Sequence, residues 1–166
     1  DIYPALIKTK KIQGKVYNKS FNKFIDIGLP KDLSKAEKFL KRVINKKAVF
    51  LDRDGVINHD PDDYTYLLEE TTILPGILNF AKQVKAKGYL IIVITNQGGI
   101  DKGRYTHEHV AAVNDFIEKE FAKEGVKIEE FFYCPHHNAI QACLCRKPDS
   151  LSIEKALHRY KVDPSK

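Results

Sequence analysis

The sequence predicts an α/β fold, a Rossmann-like parallel sheet with helices on both faces. Val49-Phe50-Leu51 is a short apolar run that ends in Asp52-Arg53-Asp54-Gly55. Such a run reads as a buried parallel strand, and open α/β sheets bind their ligands at the carboxyl ends of such strands. Tyr89 to Thr95 is a second continuous apolar run, separated from the first by a stretch of helical periodicity. That βαβ order sets adjacent strand ends side by side. Phe131-Phe132-Tyr133 follows another helical stretch and leads directly into a loop rich in cysteine and histidine.

A chain of 166 residues with 43% apolar content can bury one ordinary core. It has no apolar run of about 18 residues and no signal-peptide layout, so a cytoplasmic protein without membrane association is expected. The formal charge of +6 is uneven: residues 1–46 hold twelve Lys/Arg against four Asp/Glu, or +8, and residues 47–166 hold sixteen against eighteen, or −2. The lysines are scattered rather than stacked on one face with aromatics, so nucleic acid is not an expected partner. Three cysteines, Cys134, Cys143 and Cys145, fall within twelve residues. An odd count in so short a stretch points to a metal site rather than a disulfide framework.

In chain order, residues 1–46 form a first segment. It holds a strand and turn around Lys23 to Leu29, and a helix that Asp32 could cap, with Leu33, Ala36, Phe39, Leu40 and Val43 at helical spacing. Lys46 and Lys47 lead into the main domain, residues 47–166. After the first strand, Asp54 can share a site with Asp52 while Gly55 lets the backbone turn away; a plain Asp-Gly turn is the alternative. A calcium loop fits worse, since Gly55 is fourth and Asp63 twelfth where that loop wants Gly sixth and Glu twelfth. His59 to Thr72 is polar and too short for a separate cap domain, so a minimal cap, a small hairpin or flap, is expected.

Pro75-Gly76 opens a helix with Ile77, Leu78, Phe80, Ala81 and Val84 inward, closed by Gly88. Asn96-Gln97-Gly98-Gly99-Ile100-Asp101-Lys102-Gly103-Arg104-Tyr105 forms a loop whose backbone amides can approach an anion. Lys102 and Arg104 are either ligands for a second phosphate or solvated surface charges. Thr106 caps a helix to about Lys123 with Val110, Val113, Phe116, Ile117 and Phe121 buried, and His107 and His109 at the surface. The Cys-x-His and Cys-x-Cys pairs supply four ligands suited to a closed tetrahedral zinc site. A last helix, Leu151 to Tyr160, packs Leu151, Ala156, Leu157 and Tyr160.

Asp52-Arg53-Asp54-Gly55-Val56 resembles the nucleophile motif D-x-D-G-[TV] of the haloacid dehalogenase-like phosphatases. The resemblance implies Asp52 as nucleophile and Asp54 as general acid and base. It also implies magnesium on the Asp52 carboxylate and the Asp54 main-chain carbonyl, since a carboxylate attacking a phosphate dianion needs a cation to offset like-charge repulsion. Thr95 matches that family's second motif, a hydroxyl to the phosphoryl group, and Lys147 its third, the balancing cation. Together, D-R-D-G-V-I-N, V-I-T-N-Q-G-G-I and C-P-H-H followed by C-L-C-R-K-P resemble the D-glycero-D-manno-heptose 1,7-bisphosphate phosphatases over about residues 47–163. The substrate implied is a phosphorylated sugar from the synthesis of sugar nucleotides for cell-surface glycans such as lipopolysaccharide.

By the same resemblance Asp60 and Tyr64 fall where the family contacts the sugar. Asn96, Gln97, Lys102, Arg104 and Arg146 join them as substrate-binding residues, and zinc is held by Cys134, His136, Cys143 and Cys145, with His136 preferred to His137. The six residues between His136 and Cys143 resemble the histidinol-phosphate phosphatases instead, while Gly99 to Tyr105 resembles the heptose pattern G-I-A-R-G-K-F, with Lys102 at the arginine position. A non-catalytic, zinc-stabilised module is a third reading. Phe24-Ile25-Asp26-Ile27-Gly28-Leu29-Pro30 resembles the C-terminal end of sugar-1-phosphate nucleotidyltransferases, which implies covalent fusion to such an enzyme; Asp26 matches a metal-binding acid of some of them. The phosphatase family also has a fourth motif, an acid cluster after a further strand. None of Asp149, Glu154 and Asp163 follows an apolar run, so the C-terminal part of the fold is expected to be missing and the chain to be a weak or inactive phosphatase.

Overall fold

The computed structural model describes residues 27–61 and 63–166. The strand expected near Phe24, with Asp26, lies outside the described residues. The chain divides into two compact units, Asp1–Lys41 and Arg42–Lys166. The described part of the first is a 3-10 turn, Pro30–Asp32, that runs into helix α1, Leu33–Val43. Ala36 is buried, whereas Leu33 and Leu40 are exposed.

The second unit is built on a three-stranded parallel sheet, β1 (Lys47–Leu51), β2 (Tyr89–Asn96) and β3 (Glu130–Cys134), in that spatial order. Side chains on β2 alternate between two cores, as a period of two requires. Ile91 and Val93 face α2 (Ile77–Ala86) and α3 (His107–Lys123) through Ala81, Val113 and Ile117. Ile92 and Ile94 face α4 (Leu151–Tyr160) through Ala156, together with Val162. Right-handed crossovers that step in one direction, β1 to β2 to β3, put α2 and α3 on one face. After β3 the chain turns back and Val162 bridges in parallel to Lys46 at the start of β1; the reversed step puts α4 on the opposite face. A reversal of this kind leaves a crevice at the carboxyl edge of the sheet.

One expectation is corrected. Phe80 is 44% exposed rather than inward, because α2 buries only the Ile77, Ala81 and Val84 stripe and Phe80 falls outside it. The segment from His59 to Thr72, expected as a small hairpin or flap, is closed at its base by one antiparallel bridge, Asn58 to Ile73, and among its described residues carries a 3-10 turn at Leu68–Glu70. Among the described residues, no helix is long and apolar enough to cross a membrane.

Candidate active site

Register places the site. Leu51, the last residue of β1, lies opposite Val93, and β2 continues to Asn96. Asp52 to Asp54 and the pair Thr95 and Asn96 therefore leave the sheet along one edge. Gly55, at φ +78, turns the chain back so that its N–H donates to the Asn58 carbonyl at 2.8 Å. A residue with a Cβ is strained in that left-handed conformation. The edge opens into a cavity of about 580 Å³, and Asp52, Asp54, Asp60, Tyr64, Thr95, Asn96, Lys102 and Arg104 all stand on its wall.

Lys147 reaches the site from the loop after β3, and its Nζ lies 2.5 Å from Asp52 Oδ2 while donating to the Ile94 carbonyl at 2.9 Å. Its backbone is clasped on both sides by the Asn96 amide: Lys147 N–H donates to Asn96 Oδ1 at 2.9 Å, and Asn96 Nδ2 donates to the Lys147 carbonyl at 3.2 Å. Lys147 and Asp52 are both partly open to solvent, so the pair fixes geometry more than it stabilises the fold.

The Asp54 carboxylate sits in a cage of donors: Arg53 Nε at 3.0 Å, Arg53 Nη2 at 3.2 Å, Asn58 Nδ2 at 3.0 Å and Gln97 Nε2 at 2.7 Å. Arg53 is wholly buried and also donates to the Thr65 carbonyl at 2.8 Å. Gln97 is buried behind the cavity wall and donates to Thr95 Oγ1 at 2.9 Å as well. Tyr105, whose hydroxyl donates to Gln97 Oε1 at 2.8 Å, has its phenol pushed up to about 12 by burial.

Across the cavity mouth, Lys102 Nζ lies 5.5 Å from the Tyr64 ring centroid and Arg104 is 3.8 Å from Asp63. Arg146 does not reach this cavity. Its Nη1 donates to the His136 carbonyl at 3.1 Å, and it lines a separate depression of about 260 Å³ beside the cysteine loop.

Cys134, His136, Cys143 and Cys145 bring their ligand atoms within 4.8 Å of one another. The three Sγ–Sγ distances are 3.2, 3.5 and 3.6 Å, and His136 Nδ1 lies 3.4 Å from Cys145 Sγ and 3.7 Å from Cys134 Sγ. Four ligands at about 2.3 Å from a tetrahedral zinc stand roughly 3.8 Å apart, so this donor set fits that ion with little movement. Asp101 ties the glycine loop to the same place, accepting from His137 N–H and Gln141 Nε2, each at 2.9 Å. For magnesium, the oxygens of Asp52 and Asp54 are suitable hard donors; among the described residues no further acid or histidine joins them in a cluster of three. Magnesium tolerates that, since it keeps several waters and takes one or two carboxylates plus substrate phosphate.

Sequence reasoning gave no role to Arg53, Asn58, Asp101 or Tyr105. Arg53 carried a usable signal: an arginine beside the end of a buried strand needs a carboxylate and carbonyls around it.

A parallel α/β sheet that gathers two aspartates, a threonine and a lysine at its carboxyl edge defines a haloacid dehalogenase-like phosphatase fold. Residues 47–163 match the model of the family described as polynucleotide kinase 3 phosphatase, and the chain belongs to that family. It is similar to D-glycero-alpha-D-manno-heptose-1,7-bisphosphate 7-phosphatase of Campylobacter jejuni, 39% identical over 70% of this chain and 66% of that one. The corresponding Burkholderia mallei enzyme is 44% identical over 72% and 66%. The beta-named 7-phosphatase of Pasteurella multocida is 34% identical over 72% and 67%. Among solved structures, D,D-heptose 1.7-bisphosphate phosphatase from B. bronchiseptica, complexed with magnesium and phosphate, matches with a TM-score of 0.66 at 32% identity, over 70% of this chain and 65% of that one. The chain spans about two thirds of the length of the curated relatives it matches.

Proposed function

We propose that this chain hydrolyses the 7-phosphate of D-glycero-D-manno-heptose 1,7-bisphosphate through an aspartyl-phosphate on Asp52. The observation that carries the proposal is the meeting of Asp52 with Lys147 Nζ, 2.5 Å apart, on a cavity that Asp54 and Thr95 also line. In the first step an Asp52 oxygen attacks phosphorus, the ester P–O bond breaks, and Asp54 gives its proton to the departing sugar oxygen. In the second, Asp54 takes a proton from water as the water oxygen attacks phosphorus and Asp52 leaves as carboxylate. Both steps pass charge through the phosphoryl oxygens, which Lys147 and the Thr95 hydroxyl stabilise. Magnesium, held by the Asp52 carboxylate and the Asp54 carbonyl, supplies charge neutralisation when bound. Zinc on Cys134, His136, Cys143 and Cys145 is structural.

A cavity of about 580 Å³ accommodates a sugar with phosphates at both ends, and Lys102 and Arg104 at its rim are the cations for the phosphate that stays. Asp60 and Tyr64 contact the sugar between them. The test is phosphate release from both anomers of the bisphosphate, from fructose bisphosphate and from histidinol phosphate, with Asp52→Asn and Lys147→Ala beside the parent chain. The heptose should be preferred, the first variant should form no phosphoenzyme, and the second should lose roughly 10² to 10³ in rate. A phosphorylated residue other than Asp52 would overturn the assignment.

A further inference from the structure

The Gln97 amide has one productive orientation. Its nitrogen donates to Asp54 Oδ2 at 2.7 Å and to Thr95 Oγ1 at 2.9 Å, and its oxygen accepts from the Tyr105 hydroxyl at 2.8 Å. Turned over, the amide would put its oxygen against the Asp54 carboxylate and remove the donor from Thr95. With Gln97 donating to Oγ1, the Thr95 proton is left for a phosphoryl oxygen. Asp54 and Thr95 meet only the nitrogen of the amide, so the contact that fixes its oxygen has to come from the other side.

Tyr105 supplies what Asp54 cannot. Burial keeps its phenol protonated, and the Gly99 backbone hydrogen bond takes up the acceptor side of its oxygen, so the hydroxyl proton is what it presents to Gln97. The ring is wedged in place. Tyr66 stacks on it with centroids 5.2 Å apart, Tyr64 meets it edge-on at 5.4 Å, and a Cβ added to Gly99 would lie 2.1 Å from its Cε1. Gly99 is thus the gap that the ring occupies, and the segment 59–72 closes over the other side through Tyr64 and Tyr66.

We propose that Tyr105 is a positioning residue: its hydroxyl locks the Gln97 amide, and through that amide it orients the Asp54 carboxylate and the Thr95 hydroxyl toward the cavity. The inference rests on Asp54 acting as acid and base under the function proposed above. Tyr105→Phe removes the hydroxyl and little else. By NMR, the Gln97 side-chain amide protons, assigned by their absence in Gln97→Leu, should exchange with solvent at least about tenfold faster in Tyr105→Phe, since a fixed hydrogen bond slows exchange. Equal exchange in the two proteins overturns the lock without any assay of activity.

The kinetic arm uses leaving groups. A sugar phosphate needs the acid, whereas p-nitrophenyl phosphate, with its good leaving group, does not. In single turnovers, which read ester cleavage before water attacks, Tyr105→Phe should slow cleavage of the sugar phosphate by about 10- to 100-fold with KM within about twofold, and release of p-nitrophenol by less than about threefold. Equal losses on both substrates mean a packing role and overturn the proposal. Should Tyr105→Phe fail to fold, Gln97→Leu takes its place and must show the same selectivity. Asp54→Asn separates the two levels: if it slows the single-turnover cleavage of both substrates equally, the acid role of Asp54 falls, while the exchange measurement still decides whether Tyr105 holds Gln97.

Discussion

Replacing Arg53 with methionine should be among the most damaging single changes in the second unit. The side chain is 0% exposed and makes four hydrogen bonds: two to Asp54 at 3.0 and 3.2 Å, one to the Thr65 carbonyl at 2.8 Å and one to Asn114 Oδ1 at 3.4 Å. Methionine fills similar space with no donors. Removing one partner of a buried ion pair costs about 3–5 kcal/mol, largely because the other partner is left behind. Asp54 keeps Asn58 and Gln97, so the lower half of that range is expected from the ion pair, with about 1–2 kcal/mol more from the stranded Thr65 carbonyl. At a urea m-value of about 2 kcal/mol/M the midpoint should fall by about 2–3 M. Arg53→Lys keeps the charge without the fork and should fall between. Adding Asp54→Asn to Arg53→Met should recover part of the loss, since a neutral amide needs the guanidinium less. A midpoint within about 0.5 M of the parent would refute the reasoning, because it would mean that water or a rearranged neighbour satisfies Asp54 and Thr65 at no cost.

Protein purified without chelator should carry about one zinc per chain by elemental analysis, and a strong chelator should lower the melting temperature, structural zinc being worth roughly 10–16 kcal/mol of apparent binding energy; metal-free protein of unchanged stability would contradict the site. Ile92→Ala should cost about 2–5 kcal/mol, since Ile92 is 0% exposed between β1, β3 and α4, while Phe80→Ser should fall within about 0.5 kcal/mol of the parent. Burial raises both Tyr105 and Tyr160 to about 12, with the Glu130 hydrogen bond adding to Tyr160. Their un-ionised forms are therefore favoured by folding, a contribution complete below pH ~10 and lost as pH rises through about 12. Phenolate absorbance should show Tyr105 and Tyr160 titrating later in the native protein than in urea, each late component vanishing in Tyr105→Phe or Tyr160→Phe.

The apolar runs were legible because a parallel strand buried on both faces has to be apolar throughout, and the residue after it inherits the open edge. Asp52 and Thr95 could be placed together for that reason, whereas Lys147, and His136 rather than His137 beside the three cysteines, were placed by the family resemblance. The donors around Asp54 were not legible. Arg53 and Asn58 are neighbours of Asp54 in sequence, yet whether they point at it depends on the turn at Gly55. Gln97 and Tyr105 come from a loop that reads equally as substrate contact. Phe80 was misplaced because an aromatic one position off a helical stripe still satisfies the periodicity by eye.

The cysteine loop and the sheet edge hold Lys147 between them. From the sheet, Asn96 clasps its backbone on both sides and the Ile94 carbonyl accepts from Nζ. From the loop, Cys145 lies two residues earlier, and its carbonyl accepts from Ser152 Oγ at 3.0 Å at the start of α4. Arg146, between them, is bonded to the carbonyl of His136, itself in the metal-binding set. A lysine carries about 2 kcal/mol of rotamer entropy when free, and a long side chain on an untethered loop would meet Asp52 only part of the time. Anchoring the backbone on both sides confines that freedom to the side chain's own torsions, and the Ile94 carbonyl restricts those further. A metal ion held by that set would need no chemistry of its own beside Lys147: four ligands would hold in one place the loop of residues 135–150, which has no helix or strand of its own until α4 begins.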